Sequence, residues 1–161
     1  MRNQKGITLV ELLAVIVIIG FLTILIWRIF LQTIDSNSYA VTTQSLQQEA
    51  NVILSTLQSL HTRDTIELIY IEDNQLYVNT EVSSRVNVSN RTGITYVLYS
   101  TPPVLSNGNP TGTIASNDEI PSTKSSGRVT LPVYLSLSAN FKDGKQTHYI
   151  LNTTLSKLTT D

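Results

Sequence analysis

The sequence predicts an α+β chain: one long N-terminal helix, membrane-spanning in its first half, packed on a small C-terminal antiparallel β-sheet. Three observations predict it. Leu12 through Trp27 contains no charged residue. Tyr39, Thr43, Leu46, Ala50, Ile53, Leu57 and Leu60 then recur at spacings of four and three. From Thr65 onward, short runs rich in β-branched and aromatic residues alternate with turn residues. At 161 residues the chain has room for one modest globular domain beside that helix. The hydrophobic fraction, 41%, is concentrated near the N-terminus, and the remainder is rich in Ser, Thr and Asn. A net charge of −1 gives no overall electrostatic footprint for nucleic acid or anionic membrane. The absence of cysteine excludes disulfides, thiol chemistry and Cys-based zinc sites.

The first six residues are short, polar and positive through Arg2 and Lys5. From Ile7 to Trp27 the only charge is Glu11. A hydrocarbon core needs roughly 20 residues of helix, so this segment is long enough to span. Arg2 and Lys5 place the N-terminus in the cytoplasm and the bulk of the chain outside. An ordinary secretory signal has a shorter apolar run and ends at a small-residue cleavage site, and neither applies here. Trp27 and Arg28 read as an interfacial anchor, an aromatic with a snorkelling cation. A carboxylate at Glu11 is costly in an apolar helix. Burial alone leaves two readings: it snorkels to the interface, or it meets a partner.

The run Lys5-Gly6-Ile7-Thr8-Leu9-Val10-Glu11-Leu12-Leu13 resembles the N-terminal motif of type IV prepilins and of the pseudopilins of type II secretion and DNA-uptake systems. Those proteins join a short basic leader ending in Gly, an apolar first mature residue, a Glu four positions on and a long apolar run. The resemblance implies cleavage between Gly6 and Ile7 by a membrane prepilin peptidase, and N-methylation of the Ile7 amine. Gly6 suits a protease cleft because it lets the backbone lie extended. It further implies that Glu11 of one subunit faces the Ile7 amine of its neighbour in a filament. Opposite charges in an apolar bundle attract strongly, and an unpaired Glu11 is penalised, so the pair sets assembly register. Many major pilins carry Pro where this chain has Arg28, so local melting of the helix would start at Gly20. That departure points to a minor pilin or pseudopilin. The run from Val133 to Leu155 is similar in composition to the closing strands of J-type minor pseudopilins.

The three-and-four stripe extends the helix from about Ile7 to about Thr62, roughly 80 Å. A free-standing coiled coil is the alternative reading of the stripe, and the β-type sequence that follows at once argues against it. Strands are expected at Thr65–Glu72, Gln75–Val82, Arg85–Val88 and Gly93–Ser100, with a hairpin turn at Asp73-Asn74. Thr101–Gly127 holds four of the five prolines and reads as a long, exposed loop. Arg128–Ala139 and Gln146–Ser156 read as strands joined through an Asp143-Gly144 turn, with Pro132 at an edge or a bulge. The order resembles the pilin lollipop, in which a sheet packs across the outer half of the helix. The expected organisation is a leader at 1–6, a transmembrane and filament-core helix at 7–28, its amphipathic continuation at 29–62 and a β-rich head at 63–161.

No metal or other cofactor is expected. His61 and His148 lie far apart without an acidic ligand cluster, and the loop carboxylates Asp73, Asp118, Glu119 and Asp143 lack the calcium-loop spacing. No nucleophile elbow or phosphate loop occurs, so enzyme activity has no residue to rest on. Lys142, Lys145 and His148 with Phe141 and Tyr149 form a small basic-aromatic patch, a weak pointer to DNA. The expected protein is a structural subunit, processed by a prepilin peptidase and assembled with other pilins by an inner-membrane platform. It would be held in membrane lipid first and at the cell surface later, serving competence, type II secretion or adhesion and motility. The rivals are an uncleaved single-pass protein with an external binding domain, and a pilus-tip adhesin or DNA receptor that uses Thr101–Gly127.

Overall fold

The computed structural model describes residues 9–125, 127–141 and 144–158. The chain forms two compact units, residues 1–40 and 41–161. One helix, α1, runs Leu9–Arg63. In the first unit its side chains from Leu9 to Ile34 include no buried apolar residue.

In the second unit the helix turns one stripe inward. Leu46, Ala50, Ile53, Leu57 and Leu60 are buried, as the spacing predicts. Tyr39, placed on the same stripe from sequence, is 52% exposed, so the buried stripe starts further along than expected. The helix ends where the Asp64 N–H still bonds to the Leu60 carbonyl at 2.7 Å. His61 is buried there, and its Nδ1 accepts the Ile66 N–H at 3.3 Å.

Strands β1 (Ile66–Glu72), β2 (Gln75–Thr80) and β3 (Val86–Ser89) follow. Asp73 and Asn74 both have positive φ, the backbone a two-residue I′ hairpin turn requires. The second strand stops at Thr80, short of the expected Val82, because Thr80 closes a turn with Ser83. Next come β4 (Thr95–Leu98), β5 (Val104–Ser106), β6 (Asn109–Thr111), β7 (Glu119–Pro121) and β8 (Thr123–Ser125), then β9 (Arg128–Asn140) and β10 (Gln146–Leu158).

One sheet has the order β3-β2-β1-β7; a second has β10-β9-β4, with β8 also on β9; β5 and β6 form a ribbon. All named pairings are antiparallel. The expected single small sheet is therefore two sheets. They meet where the Asn74 side chain donates to the Ile94 carbonyl at 2.7 Å and accepts the Tyr96 N–H at 3.1 Å. Helix residues 46–60 pack against both, with Ile69, Val78, Leu135, Leu137 and Leu151 in the same core.

The expected long loop at Thr101–Gly127 is corrected. It contains β5 to β8 and a 3-10 turn at Ser116–Asp118. Ile120 and Ala115 are buried, and β7 extends the first sheet by pairing Ile120 with Ile69. Three-residue strands show no readable alternation, and Pro110 and Pro121 disguise them. Pro121 is tolerated because β7 is an edge. Pro132 makes no bulge: β9 keeps unbroken register with β10, and Pro132 falls between the stretches paired to β8 and to β4. Its missing N–H costs no rung there. The Asp143 half of the last predicted turn lies outside the described residues.

Candidate functional site

The segment singled out from sequence is the start of α1. Arg2, Lys5, Gly6 and Ile7 lie outside the described residues. Glu11 stands in the first turn of the described part of the helix. Beyond it the helix is apolar on every side. Phe21 is 65% exposed and Ile26 66%, the reverse of a soluble core helix. An 18-residue window reaches a mean hydropathy of 3.0 with none of it buried. By length and composition this helix can cross a membrane. Two of its hydroxyls are satisfied locally: Thr23 donates to the Ile19 carbonyl and Thr33 to that of Ile29, each at 2.8 Å. Such back-bonding hides a hydroxyl without a partner helix. Gly20 has open space where a Cβ would stand, so its own packing does not demand a glycine.

An apolar helix of this kind, with one acidic residue in its first turn, has little reason to exist in water. Residues 1–27 match the family model of the prokaryotic N-terminal methylation motif. The match supports a type IV pilin-like prepilin, handled by a prepilin peptidase and assembling with other pilin subunits. It covers the prepilin motif and not the head. No curated protein and no solved structure matches the chain. The prepilin motif and the apolar helix together support membrane anchoring and favour a structural subunit over an enzyme.

In the head, the structure brings together a group that sequence reasoning missed. Glu49 lies on the buried stripe, one residue before Ala50, and is only 8% exposed. Ser89 Oγ donates to Glu49 Oε1. The Tyr96 hydroxyl lies 2.7 Å from Ser89 Oγ and 3.5 Å from Glu49 Oε1, so it donates into the same chain. Arg91 reaches Glu49 Oε2 at 3.4 Å from a half-exposed position. A register shift between Leu76 and Tyr77 in the β2–β3 pairing sets Ser89 opposite the buried Leu76 while Asn87 stays outside. Burial holds the Tyr96 hydroxyl protonated above the ordinary tyrosine range; the Ser89 bond opposes this and the Glu49 charge adds to it. The arrangement fixes the helix against β3 and β4. The available signal was the position of Glu49 itself, three residues after Leu46 and four before Ile53.

The basic-aromatic patch is weaker in the structure than in the sequence. Both ring nitrogens of His148 are shielded and without a hydrogen-bond partner, and burial lowers its pKa. It brings no surface cation at neutral pH. Lys142 lies outside the described residues. Among the described residues no group of three His, Asp or Glu is placed to hold a metal.

Proposed function

We propose that this chain is a minor subunit of a type IV pilus-like filament, made as a membrane-anchored prepilin. The single observation that carries the reading is the prepilin motif at residues 1–27 running directly into an unburied apolar helix. In this reading residues 1–6 are a leader whose Arg2 and Lys5 keep it cytoplasmic. Residues 7–28 hold the subunit in lipid and later form filament core. Residues 29–62 carry the helix into the head at 63–161. The peptidase cuts between Gly6 and Ile7 and methylates the Ile7 amine; Glu11 then pairs with the Ile7 amine of a neighbouring subunit. A carboxylate in an apolar bundle is stable only with such a partner, so the pair selects one docking register. An inner-membrane platform moves the processed subunit from the bilayer to the cell surface. Arg28, at the position of the major-pilin proline, supports the minor role. Service in competence, type II secretion or adhesion is compatible with this chemistry, and DNA binding has little support now that His148 is shielded.

The test is intact-mass and N-terminal analysis after co-expression with a prepilin peptidase, beside a Gly6→Val control. Loss of Met1–Gly6 with a methylated Ile7, blocked in the control, is expected. An intact N-terminus beside an active peptidase would leave an uncleaved single-pass anchor and end the filament reading.

A further inference from the structure

His61, in the last turn of α1, is only 3% exposed, and its imidazole meets both sheets. Nδ1 accepts the N–H of Ile66, the first residue of β1, at 3.3 Å. The ring also lies near the rung that pairs Val129 of β9 with Lys157 of β10. Because Nδ1 accepts, the ring's one proton is on Nε2. That nitrogen is shielded from water and has no hydrogen bond among the described residues.

The connection from helix to strand is short and buried, with Thr65 and Ile66 at 5% and 0% exposure. Besides the imidazole, it is tied by the Asp64 N–H to the Leu60 carbonyl at 2.7 Å and by the Glu81 N–H to the Thr65 carbonyl at 3.1 Å. The register of β1 against β2 shifts between Ile66 and Leu68, and such an irregularity disrupts the ladder locally. His61 therefore supports the strand where its own pairing is weakest.

An imidazolium has two donors and no acceptor. A proton on Nδ1 would face the Ile66 N–H, donor against donor, and Ile66 has no water to turn to. The charged ring would also stand near Lys157 on β10. The carboxylates beside the connection are already engaged: Asp64 pairs with Arg63 at 3.3 Å, and Glu81 with Lys124 of β8 at 2.7 Å.

We propose that His61 is an acid-operated latch: neutral, it ties the end of α1 to β1; protonated, it swings out and frees residues 61–66 while the sheets stay paired. Burial is the main obstacle to the second proton; the Val129 carbonyl favours one, and the Lys157 charge opposes it. The folded pKa thus lies below 6.5, so the latch is closed above about pH 6.5 and opens as pH falls through the folded value. The ladder of β9 and β10, unbroken from Arg128–Leu158 to Asn140–Gln146, holds without it. The latch lies within the unit of residues 41–161 and does not depend on leader processing.

The test is an NMR titration of the imidazoles of the full chain in detergent micelles, with residue-resolved amide exchange between pH 7.5 and 5. Protection of Ile66, corrected for the intrinsic exchange rate, should fall by roughly three- to tenfold as the His61 ring titrates. That of Leu135 in β9 should fall much less. His148 is the internal comparison: its ring nitrogens hold no backbone N–H, so its titration should leave its neighbours' amides in place. His61→Asn keeps an acceptor for Ile66 that does not titrate, and Ile66 protection should then be flat. Lys157→Gln should move the His61 titration to higher pH. Three results overturn the proposal: a His61 ring that does not titrate above pH 5, Ile66 protection that stays flat while it does, or equal loss at Ile66 and Leu135. If His61→Asn does not fold, coincidence of the ring titration with the Ile66 change in the parent and in Lys157→Gln decides.

Discussion

Ser89→Ala is expected to destabilise the head more than loss of one surface hydroxyl would suggest. The substitution takes the close donor away from Glu49 Oε1, leaving a carboxylate that is 8% exposed with Tyr96 at 3.5 Å and Arg91 at 3.4 Å. A hydrogen bond to a charged group contributes about 1.5–3 kcal/mol, and a deserted buried charge sits at the upper part of that range. We therefore expect about 2–3 kcal/mol for Ser89→Ala. Glu49→Gln keeps an acceptor facing Ser89 while removing the charge that burial penalises, and it should cost less, about 1 kcal/mol. Arg91→Ala should cost no more than about 0.5 kcal/mol, because that guanidinium is half-exposed and screened by water. The double variant Ser89→Ala/Glu49→Gln should fall short of the sum by about 1 kcal/mol, the mark of a shared network. Urea unfolding of the full chain in micelles, followed by far-UV circular dichroism, reads all four. A Ser89→Ala variant within about 0.5 kcal/mol of the parent, or strict additivity, would refute the claim that this cluster fixes the helix on the sheets.

Burial lowers the pKa of His61 below the ordinary histidine value of 6.5, and His148 shifts in the same sense. The unfolded chain then binds protons that the folded one refuses, so stability falls as pH drops below about 6.5, by at most about 1.4 kcal/mol per pH unit for each imidazole. His61→Gln should flatten that slope between neutral pH and about 5 in urea titrations; an unchanged slope would clear His61 of the effect. In Gly112→Ala the new methyl would meet Tyr99 Cδ1 at 3.0 Å and the Pro103 Cα at 3.2 Å, a loss of about 1–3 kcal/mol by thermal melting. A neutral result there would restore the view of residues 101–127 as a loose loop.

Features that depend on local chemistry could be read from the residues alone. The uncharged run after Glu11, the stripe from Leu46 to Leu60, the turn at Asp73-Asn74 and the long alternation of β9 and β10 were all legible, because each repeats over several residues. One local signal was overlooked. Asn107-Gly108, with both φ values positive, turns β5 into β6, and Asn-Gly is a strong hairpin marker even among prolines. The remaining features came from the pairing of distant segments. The three-residue strands β7 and β8 have no pattern of their own; they exist because β1 and β9 present open ladder edges to them. Glu49 on an apolar stripe became intelligible once Ser89 and Tyr96, 40 and 47 residues further on, were brought against it. Periodicity reports which face a residue shows, whereas pairing between distant segments settles what that face meets.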